Sequence, residues 1–171
     1  DRWTYWPVRI NRGGEVLAPG DPSQPAQYID ARDLSEFDIH LIENNLFGTY
    51  TAVGPLGKLT MSEMLYGIKA VVSNEVSFAW VDQNFILDNK IKPWREITAW
   101  MPSGGEFDGF CSFDNSNAVK AGIKYRPLAV TAKDTLKWWK TLPQERRENP
   151  KAGLSISKEE EVLKKWKSKI K

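Results

Sequence analysis

The sequence predicts an α/β fold that contains only part of a sheet. Short segments rich in β-branched and aromatic residues alternate with amphipathic helical segments in the order β-α-β-α-β-α, and further helices follow. Strands that alternate with helices favour a layered α/β architecture. Four short strands are predicted, which is few for a complete doubly wound sheet. A length of 171 residues fits a single domain, residues 1–171.

Each predicted strand is a short run bounded by turn residues. Pro19 and Gly20 open the turn after the first run, since proline fixes φ and glycine permits positive φ. The third run alternates in polarity and is rich in aromatic and β-branched residues, which is typical of a half-buried strand. The four predicted strands span residues 15–18, 27–29, 47–53 and 76–81.

Three of the predicted helices begin with capping signals. Asp30 can accept a hydrogen bond from a free amide of the first turn. Thr60 with Glu63, and Ser157 with Glu160, have the capping-box spacing, in which a hydroxyl and a carboxylate each satisfy a free amide. The predicted helices cover residues 1–12 with an interruption near Pro7, 30–44, 60–72, 82–89, 115–121, 131–142 and 157–170, with an irregular region at 90–113 and a polar connector at 143–150.

Composition excludes several classes of protein. A hydrophobic content of 41% and a charged content of 27% are typical of a soluble globular chain, and no segment approaches the ~20 apolar residues that span a bilayer. The single Cys111 excludes an internal disulfide framework and predicts a reducing, cytoplasmic location. With His40 as the only histidine, neither a zinc site nor a Ser-His-Asp set is expected.

Charge is distributed unevenly along the chain. Residues 1–130 carry 12 Lys and Arg against 16 Asp and Glu, a net charge of −4, whereas residues 131–171 carry 12 against 6, a net charge of +6. A basic segment can bind nucleic acid. A solvated helical face that balances an acidic body explains the same pattern. We favour the second interpretation and predict that residues 131–171 form a C-terminal helical segment of the same domain.

Several catalytic and cofactor motifs do not occur in the sequence. There is no Gly-x-Gly-x-x-Gly and no P-loop, so no phosphate cradle of either kind is predicted. Tyr66 and Lys69 are one residue too close for the Tyr-x-x-x-Lys spacing that brings a lysine to a catalytic tyrosine. The sequence therefore predicts no catalytic, cofactor-binding or metal-binding residue within this chain.

Four segments, in order, resemble one known family. They are DRWTYWPVRINRGG at residues 1–14, VLAPGD at 16–21 with QYIDARDL at 27–34, FGTYTAVGP at 47–55 with LTMSEML at 59–65, and FDNSNAVKAGIKYRPL at 113–128. This order of loop, strand, Asp-capped helix and later elements, over roughly residues 1–140, resembles the late part of the extended short-chain dehydrogenase/reductases, the NAD-dependent epimerase/dehydratase family.

The resemblance carries expectations about fold and function. It implies a partial Rossmann-type sheet with an α+β substrate-binding region that lacks the N-terminal dinucleotide-binding half. It also implies NAD or NADP as the cofactor, bound mainly by that absent half together with a Tyr/Lys pair. The chain begins at Asp1 without a methionine, so we expect it to be cut from a longer protein and to be inactive alone as a reductase or epimerase.

One departure from the family pattern concerns the substrate. Family members that act on nucleotide sugars often have an arginine near the position of Gln27, where it meets the pyrophosphate. Glutamine cannot neutralise phosphate charge as arginine does. The resemblance and the high aromatic content together predict a small carbonyl or hydroxyl substrate.

Aromatic residues dominate the predicted substrate site, because large planar side chains line apolar pockets well. For each tryptophan, ordinary core filling is the competing interpretation. Other hypotheses left open are a stand-alone ligand- or protein-binding module and a nucleic-acid binder, and the sequence does not separate a monomer from a homo-oligomer. No nucleic acid and no membrane are expected as partners. The predicted substrate-binding residues are Trp3, Tyr5, Trp6, Arg9, Trp94, Trp100 and Phe110.

Overall fold

The computed structural model describes residues 2–170; Asp1 and Lys171 lie outside the described residues. Helices and strands alternate early in this range, and helices follow. A 3-10 turn covers Gly105–Phe107. The elements in chain order are α1 (Tyr5–Arg12), β1 (Gly14–Pro19), α2 (Ala31–Glu43), α3 (Met61–Lys69), β2 (Val76–Val81), α4 (Gln83–Asp88), α5 (Ser116–Lys120), α6 (Leu128–Thr141), α7 (Gln144–Glu148) and α8 (Ile156–Lys169).

The sheet of the described chain consists of β1 and β2, which run parallel. Their register pairs Gly14 with Val76 and Pro19 with Val81. The connection between them contains α2 and α3, as a parallel pair requires a crossover. The α/β class is therefore confirmed, and so are the strands predicted at residues 15–18 and 76–81.

The strands predicted at residues 27–29 and 47–53 do not form. Tyr28 and Gly54 make an isolated antiparallel bridge, with N···O distances of 3.0 and 2.8 Å. The bridge cannot extend, because the amide of Ala26 donates to Leu59 and Asp30 already caps the next helix. Alternation of polarity in residues 47–53 does not make a strand where the chain offers no partner edge.

A continuous apolar core joins α1, β1, α3, β2, α4 and α8. Two large indoles, Trp6 and Trp100, lie in it and are 0% and 2% exposed. A second, smaller cluster forms around Phe37 of α2, Ala118 of α5 and Ile123. The aliphatic residues that are fully buried in the main core include Ile10, Leu17, Leu65, Ile68, Ile86 and Ile97.

Several helix predictions are confirmed at their caps. The Asp30 side chain accepts from the amide of Arg32 at the start of α2. Thr60 and Glu63 form the predicted capping box at the start of α3. Helices α4 and α5 lie within the predicted ranges, and α6 starts three residues earlier than predicted, at Leu128.

Other helix predictions were wrong in detail. Pro7 does not interrupt α1, because it lies in the first turn, where an amide has no partner within the helix. The cap of α8 is Ser155 rather than Ser157, and its hydroxyl accepts from the amide of Lys158. Both serines can cap a helix, and the earlier one gives a longer helix. The connector predicted at residues 143–150 contains a short helix, α7.

A buried carboxylate fastens the C-terminal helix to the N-terminal part of the chain. Glu159 of α8 is 1% exposed and accepts hydrogen bonds from Arg9 at 2.5 Å and Arg12 at 2.7 Å. It also accepts from the backbone amide of Leu17 in β1 at 3.0 Å. The side chain of Arg9 is 5% exposed, so this ion pair is shielded from water. Loss of either the Glu159 or the Arg9 charge would leave the other buried without a partner, which costs free energy of folding.

A second polar cluster fastens α2 to the segment that leads into α6. The Asp33 carboxylate accepts from the backbone amide and the guanidinium of Arg126. Asp30 accepts from the hydroxyl of Thr131 at 2.8 Å and from the side chain of Arg32. The Arg32 hydrogen bonds, with smaller help from the Thr131 hydroxyl, hold the pKa of Asp30 well below its usual range against the opposing effect of burial.

Glu159→Gln removes the charge that balances Arg9. We expect the free energy of unfolding to fall by about 3 kcal/mol, because a buried guanidinium then lacks its counter-charge. Urea unfolding followed by circular dichroism measures this loss. The control is Glu160→Gln, an exposed neighbour on α8, which we expect to change stability by no more than about 0.5 kcal/mol. Equal losses of unfolding free energy in the two variants would contradict the role of Glu159 as the counter-charge of Arg9.

Asp30→Asn tests the second polar cluster through pH. The pKa of Asp30 is depressed in the folded chain, so its contribution is complete above the unfolded-state pKa of about 4 and is lost as pH falls further. We expect the wild-type Tm to drop below pH 4 and the variant to show a lower Tm at pH 7 with a shallower acid limb. Asp38→Asn, on the exposed face of α2, serves as the control and should keep the wild-type limb.

Candidate functional site

The structure separates the seven predicted substrate-binding residues into three places. One group is part of the main core, one lines a cleft beside α1, and one belongs to an aromatic cluster at the surface. These groups are Trp6 and Trp100, then Tyr5 and Arg9, then Trp3, Trp94 and Phe110.

Trp6 and Trp100 make the contacts of core residues. The indole nitrogen of Trp6 donates to the carbonyl of Thr98 at 2.7 Å, and that of Trp100 donates to the side-chain oxygen of Gln24 at 2.8 Å. Both rings are almost fully buried. A direct contact with a ligand would require either ring to leave the core.

Arg9 has its polar atoms engaged inside the protein. All three side-chain nitrogens of Arg9 donate to protein acceptors, namely Glu159 and the carbonyls of Gly13 and Glu15. Burial raises the pKa of Tyr5 well above its usual range. A substrate-orienting role for Arg9 stays a prediction, and it would compete with these hydrogen bonds.

The third group lies in what we call the aromatic cluster: Trp3, Tyr28, Trp94, Phe110 and Phe113. Trp3 and Tyr28 stack with ring centroids 4.5 Å apart. Phe110 meets Trp94 edge-on at 5.0 Å and Phe113 at 6.0 Å. These separations lie in the range that favours aromatic pairs.

Two polar contacts connect the two parts of the aromatic cluster, which are the Trp3–Tyr28 pair and the group of Trp94, Phe110 and Phe113. The amide of Gln27 donates to the carbonyl of Phe113 at 2.8 Å and accepts from its N–H at 2.9 Å. The Arg2 guanidinium lies 6.0 Å from the centre of the Trp94 ring, within cation–π range. Arg2 precedes Trp3 in the chain, and Gln27 precedes Tyr28. The start of the irregular region at Trp94 and its end at Phe113 therefore contact the two segments that form the stacked Trp3–Tyr28 pair.

The backbone of the irregular region is held in unusual conformations beside the aromatic cluster. Trp94 and Cys111 both have left-handed backbones, with φ of 62° and 63°. A side chain in this conformation costs on the order of 1 kcal/mol, and such strain gathers at functional sites. Cys111 is buried, and burial raises the pKa of its thiol, so the thiol remains protonated near neutral pH. This disfavours a nucleophilic role for Cys111.

Other candidate centres have structural roles. The ring of His40 contacts the carbonyl of Ala121 at 3.0 Å. Tyr66 is 51% exposed, and the ammonium of Lys69 lies 5.7 Å from its ring. Within residues 2–170, no group of three His, Cys, Asp or Glu side chains is placed to hold a metal ion. No helix in that range has the length and apolarity needed to cross a membrane.

Several basic residues of the C-terminal segment pair with acidic residues. Lys158 contacts Glu96 at 2.8 Å, and Lys167 contacts Glu15 at 2.6 Å. These pairs join the segment to the more acidic N-terminal body.

No protein-family model matches the chain, and comparison with curated proteins and with solved structures also finds no match. The resemblance to the epimerase/dehydratase family therefore remains an expectation based on the four sequence segments.

Sequence reasoning missed two members of the aromatic cluster and the residue that joins it. The sequence places Gln27 and Tyr28 in the strand predicted at residues 27–29 and Phe113 at the end of the irregular region, and no site role is predicted for Tyr28 or Phe113. A local signal for Tyr28 was present, because it lies in a short apolar run directly before a helix cap. No local signal connects Gln27 with Phe113, which lies 86 residues away.

Gln27→Ala tests whether this amide holds the wall of the aromatic cluster. We expect faster hydrogen exchange in residues 110–113 and a local stability loss of about 2 kcal/mol, because two hydrogen bonds are removed. Hydrogen-exchange mass spectrometry measures the change. Gln144→Ala serves as the control, since that side chain donates to Glu148 of its own short helix. Unchanged exchange at 110–113 would show that Gln27 does not hold this wall.

Proposed function

We propose that the chain is the substrate-binding portion of an NAD(P)-dependent oxidoreductase or epimerase that acts on a small carbonyl or hydroxyl substrate. The observation that carries the proposal is the aromatic cluster, which joins residues from the N-terminal segment, the Gln27 segment and the irregular region. Ring faces and edges offer apolar contact to a small organic molecule, and Arg2 adds one cation at the same place.

The arrangement of elements supports the family assignment within this proposal. The segments that carry the resemblance form α1, β1, the Asp30-capped helix α2, the Thr60-capped helix α3 and α5. The parallel pair β1–β2 is the kind of sheet that a partial Rossmann-type architecture requires. In this proposal NAD or NADP is bound mainly by a separate N-terminal half, which also supplies the catalytic Tyr/Lys pair.

The environment of Gln27 supports a substrate without a pyrophosphate. Both polar atoms of its amide are used by the backbone of Phe113, so the side chain serves the wall of the cluster. A pyrophosphate would require cations at this position, and a neutral amide cannot replace them. A small ketone or alcohol has no such requirement.

A titration with small ligands tests the proposal. We expect cyclohexanone and cyclohexanol to shift the indole N–H signals of Trp3 and Trp94 in NMR spectra, while the signal of the exposed Trp138 stays fixed. Phe110→Ala should weaken binding about tenfold, because an aromatic contact worth roughly 1.4 kcal/mol is lost. Shifts at every tryptophan alike, or no shift at all, would contradict a site at the aromatic cluster.

Cofactor turnover provides a separate check. The isolated 171-residue chain should not oxidise NADH or NADPH in the presence of these ketones, because the proposal assigns the cofactor to another half. Measurable oxidation by the purified chain would overturn that assignment.

A stand-alone binding module is the second candidate, and the continuous core favours it. The core connects α1 near the beginning of the described chain with α8 near its end. A module of this kind should unfold cooperatively and remain monomeric without a partner domain. Calorimetry and sedimentation decide this point: an aggregated chain, or one that is stable only as an oligomer, counts against the module.

A further inference from the structure

A cleft of about 1060 Å³ lies between α1, α6 and the segment that contains α7 and the start of α8. It shares no residue with the aromatic cluster. Its lining combines apolar side chains from the helices with basic side chains. The apolar side chains are Val8, Leu136, Trp139 and Ile156, and the basic ones include Arg12, Lys140, Arg147 and Lys151.

One wall of the cleft is held firmly in place. Gly153 has φ of +115°, and a Cβ there would clash with the ring of Tyr5. The amide of Gly153 donates to the carbonyl of Arg95 at 3.0 Å. The segment around Gly153 is therefore packed against α1, and the cleft is bounded by a fixed wall.

The charge of the lining is positive. Six cationic side chains contribute to it, against the two carboxylates Glu148 and Glu160. The buried carboxylate of Glu159, which is not part of the lining, pairs with Arg9 and Arg12. Clefts lined by one sign of charge concentrate ions of the opposite sign.

Lys140 and Lys151 are the most available of these cations. Both residues are exposed and belong to the lining, whereas Arg12 contacts Glu159 and Arg147 donates to the carbonyl of Leu142. Trp139, half-buried beside Lys140, supplies an apolar face, with the Arg146 guanidinium 5.9 Å from its ring. A lining that contains both apolar and cationic side chains suits a ligand that has an apolar part and an anionic part.

We propose that this cleft binds an amphiphilic anion, a small molecule with an alkyl or aryl body and one carboxylate or phosphate group. The apolar body lies against Val8, Leu136 and Trp139, and the anionic group lies beside Lys140 and Lys151. This inference does not depend on the function proposed for the aromatic cluster.

Isothermal titration of the 171-residue chain tests the cleft with four probes: octyl phosphate, octanoate, inorganic phosphate and octanol. The two amphiphilic anions should bind at least about tenfold more tightly than either half alone, because charge and apolar contact act together. Their binding should weaken when NaCl rises from about 50 to about 500 mM. Octyl phosphate that binds no better than inorganic phosphate would overturn the proposal.

Matched variants on α6 locate the site. Lys140→Glu should weaken octyl phosphate binding about tenfold, whereas Lys137→Glu, on the same helix but outside the lining, should leave it nearly unchanged. Trp139→Ala should reduce the advantage of octyl phosphate over inorganic phosphate, and Trp138→Ala should not. Equal effects within either pair would show that binding follows overall charge or surface hydrophobicity, which overturns the proposal.

A vesicle arm separates a free ligand from a lipid surface. Vesicles of phosphatidylglycerol should not compete with octyl phosphate for the chain, because the proposed ligand enters a cleft as a single molecule. Strong vesicle binding that Lys140→Glu abolishes, without binding of monomeric octyl phosphate, would assign the cleft to a membrane surface and overturn the proposal.

Discussion

The buried ion pair between Glu159 and Arg9 is the constraint on which the rest of the structure depends. It joins α8 to α1 across 150 residues, and the same carboxylate accepts from the backbone of β1. Helix α8 is thereby positioned to pack Val162 and Leu163 into the main core. All three side-chain nitrogens of Arg9 are used within the protein, so this cation of an aromatic-rich N-terminal segment serves the fold.

Hydrogen bonds and ion pairs between distant segments hold many of the elements together, because the sheet of the described chain is small. Two strands cannot by themselves position the second cluster around Phe37, and the Asp33–Arg126 pair performs that task by joining α2 to the chain before α6. The Gln27 amide does the same for the irregular region. Each link joins a side chain to a residue far away in sequence, so the fold depends on a few long-range hydrogen bonds as well as on apolar burial.

Local chemistry made part of this fold predictable. The caps at Asp30 and Thr60 lie beside the amides that they satisfy, and the strands β1 and β2 are short apolar runs whose partner is each other. The strand predicted at residues 47–53 does not form, because alternating polarity makes a strand only beside a neighbouring strand. Tertiary structure decides whether such a neighbour is present. Of the predicted site residues, Trp94 and Phe110 contact each other, and Trp3 follows Arg2, which contacts Trp94. Nothing local distinguishes these three residues from Trp6 and Trp100, which lie in the core, and their role in substrate binding stays a prediction.

The irregular region between α4 and α5 is attached on both sides of an exposed tip. Trp100 lies in the main core, Ser103 is hydrogen-bonded to Gln83 and Phe113 to Gln27, whereas residues 104–109 between them are exposed and include Gly104, Gly105 and Gly109. Doubling the length of a flexible loop costs only about 0.6 kcal/mol in closure entropy. The glycine-rich tip is therefore where this chain can accept an inserted peptide tag or a reporter domain, since the added length leaves both fastened ends in place.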